Sequence, residues 1–221
     1  QTEKSVSKTR YFSYTTPLCN NSMTTYHHNQ LSKRLIQDAA KYGISENLIQ
    51  KNISKGKLLS VKRNEILLNI GERNNYIYFI IEGGFISQYY NEDSSKYRTI
   101  AFYIDNYQPY MTEPESFFTK SISSCQLTAY KNSKLIAFHR DSINSLNNEY
   151  KAFNKYYNAK ILQALIIEGQ MKTKLISLSK KKLYHYLITE HNPVTRNVPS
   201  KYIAEFIGVT PQWLSKIKKG I

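Results

Sequence analysis

Cysteine is nearly missing from this chain. Cys19 and Cys125 are the only two in 221 residues and stand far apart. No disulfide framework, four-thiolate metal site or iron–sulfur cluster can be built from them, although one long-range bridge could be. Two scattered thiols suit a reducing cytoplasm. Long hydrophobic runs are absent too. Nothing approaches the roughly 18 consecutive apolar residues that span a bilayer, so no membrane partner is expected. The first residues, QTEKSVSKTRYFSYTTPL, carry no apolar stretch of a signal peptide. Also lacking are a paired nucleophile and base at a known spacing, a metal-ligand cluster and a glycine-rich phosphate loop. An enzyme is therefore not expected, and neither is a cofactor. The adjacent pair His27-His28 has no further ligands nearby and is assigned to the surface. Tyr184, His185 and His191 are assigned to packing and surface roles.

Acid is scarce as well. Asp and Glu number 16 against 31 Lys and Arg, leaving a net charge of +15. An excess of this size points to a polyanionic partner. It is unevenly placed. The last 50 residues hold ten basic side chains (Lys172, Lys174, Lys180, Lys181, Lys182, Arg196, Lys201, Lys216, Lys218, Lys219) against Glu190 and Glu205, a net +8 and more than half the total. A basic docking face is expected at that end.

The texture of the chain predicts four parts. Residues 1–28 are polar and form an N-terminal arm. Residues 29–148 begin with a helix from Leu31, LSKRLIQDAAKYG, stopped by Gly43. They continue as short runs rich in β-branched and aromatic residues: LLSVK, EILLNI, YIYFIIEG, FISQYY, YRTIAFYI, CQLTAY and KLIAFH. Turn signals separate the runs, and Gly83-Gly84 supplies a tight reversal, so a closed or sandwiched antiparallel sheet is expected. PESFFTK interrupts it as one short helix, and RDSINSLN closes it as another. Residues 149–179 run without proline as one helix of about 45 Å. Its apolar residues Tyr150, Phe153, Tyr157, Ile161, Ala164, Met171, Leu175 and Leu178 recur at steps of three and four, with Glu168 interrupting. That is the spacing of a coiled-coil seam, with Phe153, Tyr157, Ile161, Ala164, Met171 and Leu175 as its expected dimer contacts; an amphipathic helix buried in its own chain has the same spacing, but the length favours dimerisation. Leu162, Leu165 and Ile166 lie off the seam, on a face expected to pack on the sheet.

Residues 180–221 close the chain with KKKLYHYLITEH, a break at Asn192-Pro193, and then VPSKYIAEFIGVTPQWLSKIKKGI. In this last stretch Ile203, Phe206 and Ile207 point inward and Ala204 leaves room for a crossing helix. Gly208 ends the first helix, and Thr210-Pro211 caps and starts the second. A helix-turn-helix follows, with Leu214 and Ile217 buried. One α-helix fits the major groove of DNA, so Gln212 is positioned for adenine and Lys216 for guanine. Ser215 and Lys219 share the outward face. Arg196, Ser200, Lys201 and Lys218 are placed for phosphates. Trp213 is open to two roles, packing on the preceding helices or stacking at the groove edge.

The order of parts resembles the CRP/FNR family of bacterial transcription regulators across roughly residues 30–221. The residues that carry it are Gly71-Glu72 after EILLNI, YIYFIIEGG, PESFF and KYIAEFIGVTPQWLSKIKK. The resemblance implies an α+β chain: an N-terminal β-roll like a cyclic-nucleotide-binding jelly roll, a long dimerisation helix, and a C-terminal winged-helix-like helix-turn-helix. It also implies a homodimer that bends DNA at an inverted-repeat operator and works with RNA polymerase. Base contacts fall on Pro211, Gln212 and Lys216, with Thr210 at the cap. The sequence ends where the family adds a β-hairpin wing, so the wing is expected to be short or absent. In the effector cassette, Thr112-Glu113 stands for Gly-Glu and Ser123-Ser124 for Arg-Ser. Glu113 keeps the ribose carboxylate, but Ser123 and Ser124 offer no cation. A phosphate buried there without a counter-charge is strongly disfavoured, so poor binding of cyclic AMP is expected. The alternative is a small-ligand- or cyclic-nucleotide-binding module whose DNA binding is effector-controlled.

Overall fold

The computed structural model describes residues 33–219. The arm at 1–28, Cys19, the histidine pair and the expected helix start at Leu31 lie outside them. Helix α1 (Lys33–Ala40) buries Leu35 and Ala39, and Gly43 follows with φ of +78°. A second helix, α2 (Glu46–Ile53), was not expected from the sequence. Its start signal is nonetheless there: the Ser45 hydroxyl accepts from the Leu48 amide at 3.4 Å, with Glu46 in the first turn.

All seven expected strands form. They are β1 (Lys57–Val61), β2 (Ile66–Leu68), β3 (Tyr76–Glu82), β4 (Gly84–Asn91), β5 (Lys96–Ile104), β7 (Cys125–Ala129) and β8 (Ser133–His139). An eighth, β6 (Tyr110–Met111), is too short to leave a period in the sequence. Two antiparallel sheets, ordered β1-β8-β3-β6 and β2-β7-β4-β5, close a roll around Tyr78, Ile80, Phe85, Tyr103, Met111, Leu127 and Leu135. Gly83 (φ +114°) makes the β3–β4 reversal, and a Cβ there would strike the backbone of Ser133. PESFF forms α3 (Pro114–Thr119), as expected.

The remaining chain is helical: α4 (Arg140–Glu149), α5 (Lys151–Ser177), α6 (Lys180–Glu190), α7 (Asn192–Asn197), α8 (Ser200–Ile207) and α9 (Pro211–Lys219). Asn192-Pro193 does more than break α6, because the proline sits in the first turn of α7. No described helix is long and apolar enough to cross a membrane.

Helix α5 divides the residues of the expected seam between its own chain and solvent. Phe153 packs with α1, α2 and the outer face of the first sheet, whereas Met171 and Leu175 pack on the C-terminal core. Lys160 holds the helix down. Its ammonium lies 2.5 Å from Asp38 and over the rings of Tyr42, Tyr110 and Tyr156, and Asp38 also accepts from the Tyr110 hydroxyl at 3.1 Å. Of the expected dimer contacts, Phe153, Met171 and Leu175 thus pack on their own chain, Tyr157 is half-buried beside Phe153, and Ile161 and Ala164 are exposed. Leu162, Leu165 and Ile166, expected on the sheet, are instead 56%, 64% and 50% exposed, with Ile176 at 78%. Periodicity shows that a helix has two apolar faces but not which one its own chain takes.

The C-terminal helices dock on the second sheet. Ile86, Phe102 and Ile104 of the roll share one core with Leu183, Leu187, Val194, Ile203, Phe206, Ile207 and Leu214. His191, expected among packing and surface groups, is buried at this junction. Its Nδ1 meets the Tyr107 hydroxyl, and its Nε2 lies 3.1 Å from the Tyr186 hydroxyl. Burial pushes its pKa below 6.5, with Glu190 opposing weakly. The unfolded chain therefore takes up the proton first, and the stability this residue contributes is lost as pH falls below 6.5 through the folded value. Replacing His191 with Gln should flatten the loss of melting temperature measured between about pH 7.5 and 5.5.

Candidate functional site

Helices α8 and α9 build the helix-turn-helix from local signals. Tyr202, Ile203, Ala204, Phe206 and Ile207 bury one side of α8. Gly208 adopts φ of +78°, and the amides of Gly208 and Val209 both donate to the Ala204 carbonyl at 2.9 Å. The Thr210 hydroxyl accepts from the Trp213 amide at 3.1 Å, and Pro211 opens α9. Leu214 is fully buried and pins α9 to the domain.

What α9 leaves outside is polar and basic. Gln212, Ser215, Lys216 and Lys219 follow one another at offsets of three, four and seven, and all are exposed, so they form a single face. Pro211 and Thr210 are exposed beside them. Arg196 is exposed in the last turn of α7, Ser200 and Lys201 at the start of α8, and Lys218 donates to the Ser200 hydroxyl at 2.6 Å. Trp213 is half-buried and lies outside the C-terminal core. All ten sequence-predicted DNA-contact residues are therefore exposed on adjoining surface of one basic unit. Its described acids are Glu190 and Glu205, and Glu205 is engaged with the roll.

The cassette is differently occupied. Glu113 is buried and caps α3, its carboxylate accepting from the Ser116 amide at 2.7 Å. Ser123 is buried; its hydroxyl donates to the Cys125 carbonyl at 2.6 Å and its backbone pairs with Gly71 and Glu72. Ser124 is exposed, 3.5 Å from Glu115. Tyr78, Phe85 and Tyr103 fill the roll interior, and burial pushes both phenols well above their ordinary pKa, keeping them neutral. Sequence reasoning missed Arg140. Its guanidinium is buried beneath α3, donating to the carbonyls of Asn74 (2.8 Å) and Ser116 (3.0 Å) and lying 5.1 Å from the Phe117 ring. Among the described residues no group of three or more His, Cys, Asp or Glu could hold a metal ion.

A roll of two four-stranded antiparallel sheets, followed by a long helix and a helix-turn-helix, is the fold of CRP/FNR-type regulators. Solved structures of that type superpose on the chain. FixK2 from Bradyrhizobium japonicum matches with a TM-score of 0.62 at 12% identity, over 75% of this chain and 83% of its own. The c-di-GMP responsive global regulator CLP of Xanthomonas campestris matches at 0.62 and 11%, over 80% and 91%. A putative transcriptional regulator of the crp/fnr family from Eubacterium rectale matches at 0.60 and 11%, over 80% and 83%. No family model and no curated protein matches the sequence.

Proposed function

We propose that the protein is a homodimeric, sequence-specific DNA-binding transcription regulator of the CRP/FNR type, acting in the cytoplasm with RNA polymerase as its downstream partner. The observation that carries this is the α9 face: Gln212, Ser215, Lys216 and Lys219 stand in solvent while Leu214 locks the opposite side. Such a helix enters the major groove and presents bidentate amide and ammonium groups to base edges. Phosphate contacts from Arg196, Ser200, Lys201 and Lys218 set its register. Two copies are brought together by the exposed apolar stripe of α5, so that an inverted repeat is read by two α9 helices. Lys216→Ala should relax base preference at one position of each half-site, whereas Lys201→Ala should weaken every site alike and lower the salt slope by about one. Binding titrations on a panel of single-base operator variants distinguish the two outcomes.

Cyclic AMP is expected to bind poorly. Glu113 is spent on a helix cap, Ser123 and Ser124 themselves supply no cation, and aromatic rings fill the roll. Calorimetric titration with cyclic AMP should show no saturable heat. A second reading, in which a small molecule controls DNA binding, is favoured by one observation. A cavity of about 270 Å³ lies outside the roll between α2, α4 and α5, lined by Ile49, Phe118, Ile143, Phe153, Tyr157 and Leu165.

A further inference from the structure

The DNA-reading unit is fastened to the roll across a largely apolar junction by two directional contacts, Tyr107 with His191 before α7 and a carboxylate of α8 with the second sheet. On the outer face of the second sheet, Gln126 of β7, Gln88 of β4 and Thr99 of β5 are register partners. They form a polar row across three strands, and all three are buried. Gln126 Nε2 donates to Gln88 Oε1 at 3.2 Å. The row ends on Glu205 of α8, whose Oε2 accepts from Gln88 Nε2 at 2.8 Å and from Thr99 Oγ1 at 2.7 Å.

A β-bulge makes this possible. Side chains of β5 alternate, Ile104 and Phe102 facing the C-terminal helices and Tyr103 and Ala101 facing the roll interior. Continued alternation would turn Thr99 inward. The pairing with β4 instead skips Ile100, as Ser87 opposes Ala101 and Gln88 opposes Thr99. The extra residue is left 44% exposed, and Thr99 is re-aimed outward to meet Glu205.

The apolar part of the junction cannot supply direction, and the Tyr107–His191 bond holds the start of α7 rather than α8. Ile86, Phe102 and Ile104 against Phe206 and Ile203 hold the domain down, but apolar burial is indifferent to small slides and rotations. Two charge-assisted hydrogen bonds on one carboxylate oxygen are not. Glu205 lies in the last turn of α8, three residues before the Gly208 turn that leads into α9, so fixing it fixes α9.

We infer that Glu205, held by Gln88 and Thr99, is a positioning residue that sets the pose in which α9 meets DNA, and through it the half-site spacing the dimer accepts. It touches no base itself. The inference rests on the reading of α9 as a DNA-recognition helix.

The test uses the full-length protein and a set of inverted repeats whose spacer is changed one base pair at a time. Wild type should prefer one spacer over its neighbours by about tenfold. Glu205→Ala should bring all spacers within about threefold of one another, with non-operator affinity and salt slope unchanged. Glu205→Gln, whose amide oxygen still accepts a hydrogen bond, should keep most of the preference. The double change Gln88→Leu/Thr99→Val should reproduce Glu205→Ala, which should then add nothing further. Retention of the wild-type spacer preference by Glu205→Ala would overturn the inference. A second measurement needs no DNA. Spin labels at Asp93→Cys and Ser215→Cys, with Cys19 and Cys125 changed to serine, should give a narrow distance distribution that broadens on adding Glu205→Ala. An unchanged distribution overturns the positioning role. If wild type shows no operator preference at all, the DNA-binding reading falls, and the label distances still decide the positioning claim.

Discussion

Replacing Ile166 with glutamate should leave a folded, single 25.8 kDa chain in place of a dimer and should cut operator affinity by at least about a hundredfold. The expectation follows from the face of α5 that is exposed among the described residues. Leu162, Ile166, Gly169, Thr173 and Ile176 step along the helix by four, three, four and three residues, the heptad spacing of a two-helix seam. Leu162, Ile166 and Ile176 are 56%, 50% and 78% exposed, more than a solitary helix would give to water. A Cβ built on Gly169 meets nothing within 4 Å, so a second helix has room to approach closely there. In a two-fold pair the new glutamates would face each other in a closed apolar contact, uncompensated. Leu175→Glu separates this stripe from the seam read off the sequence. Leu175 packs on the C-terminal core, so its substitution should unfold that domain rather than produce a folded monomer. Sedimentation and circular dichroism on the two variants measure both effects.

Arg140→Met should cost roughly 2–3 kcal/mol of stability, seen as a fall of about 4–12 °C in melting temperature. The side chain is 9% exposed and makes no ion pair among the described residues. Its two hydrogen bonds tie the loop before β3 to α3. Without them the Ser116 carbonyl keeps the Lys120 amide as a donor, but the Asn74 carbonyl loses its guanidinium inside the protein. Methionine fills the volume and keeps contact with Phe117, so the loss reports the missing donors rather than a cavity. Arg140→Lys should recover only part of it, because both bonds leave from Nη2 and the ammonium of the shorter lysine stem stops one atom short of that position.

How much of this was legible in the chain follows from the range of each signal. The strands of the roll announced themselves because their β-branched and aromatic runs are bounded by turn residues such as Gly83-Gly84. The helix-turn-helix did so because Gly208, Thr210 and Pro211 act within a few residues of themselves. The two residues of β6 carry no period. The capping signals of α2 were local too, Ser45 and Glu46, and went unread beside stronger patterns. What the sequence could not disclose is pairing at a distance. Glu205 meets Gln88 across 117 positions, and Arg140 meets Asn74 across 66. The phase of α5 is the same kind of fact. Which apolar face is spent on the chain itself depends on Asp38 pulling Lys160 inward, a contact between helices more than a hundred residues apart in sequence.

The claim that most else depends on is that two α9 helices, held by paired subunits, read one duplex. Selection of bound sequences from a random DNA pool by the full-length protein tests it most directly. The expected result is enrichment of an inverted repeat with half-site centres about one helical turn apart, roughly 10 base pairs, bound by two chains and weakening steeply as salt rises. Enrichment of no sequence, or of a single asymmetric site occupied by one chain, would contradict it.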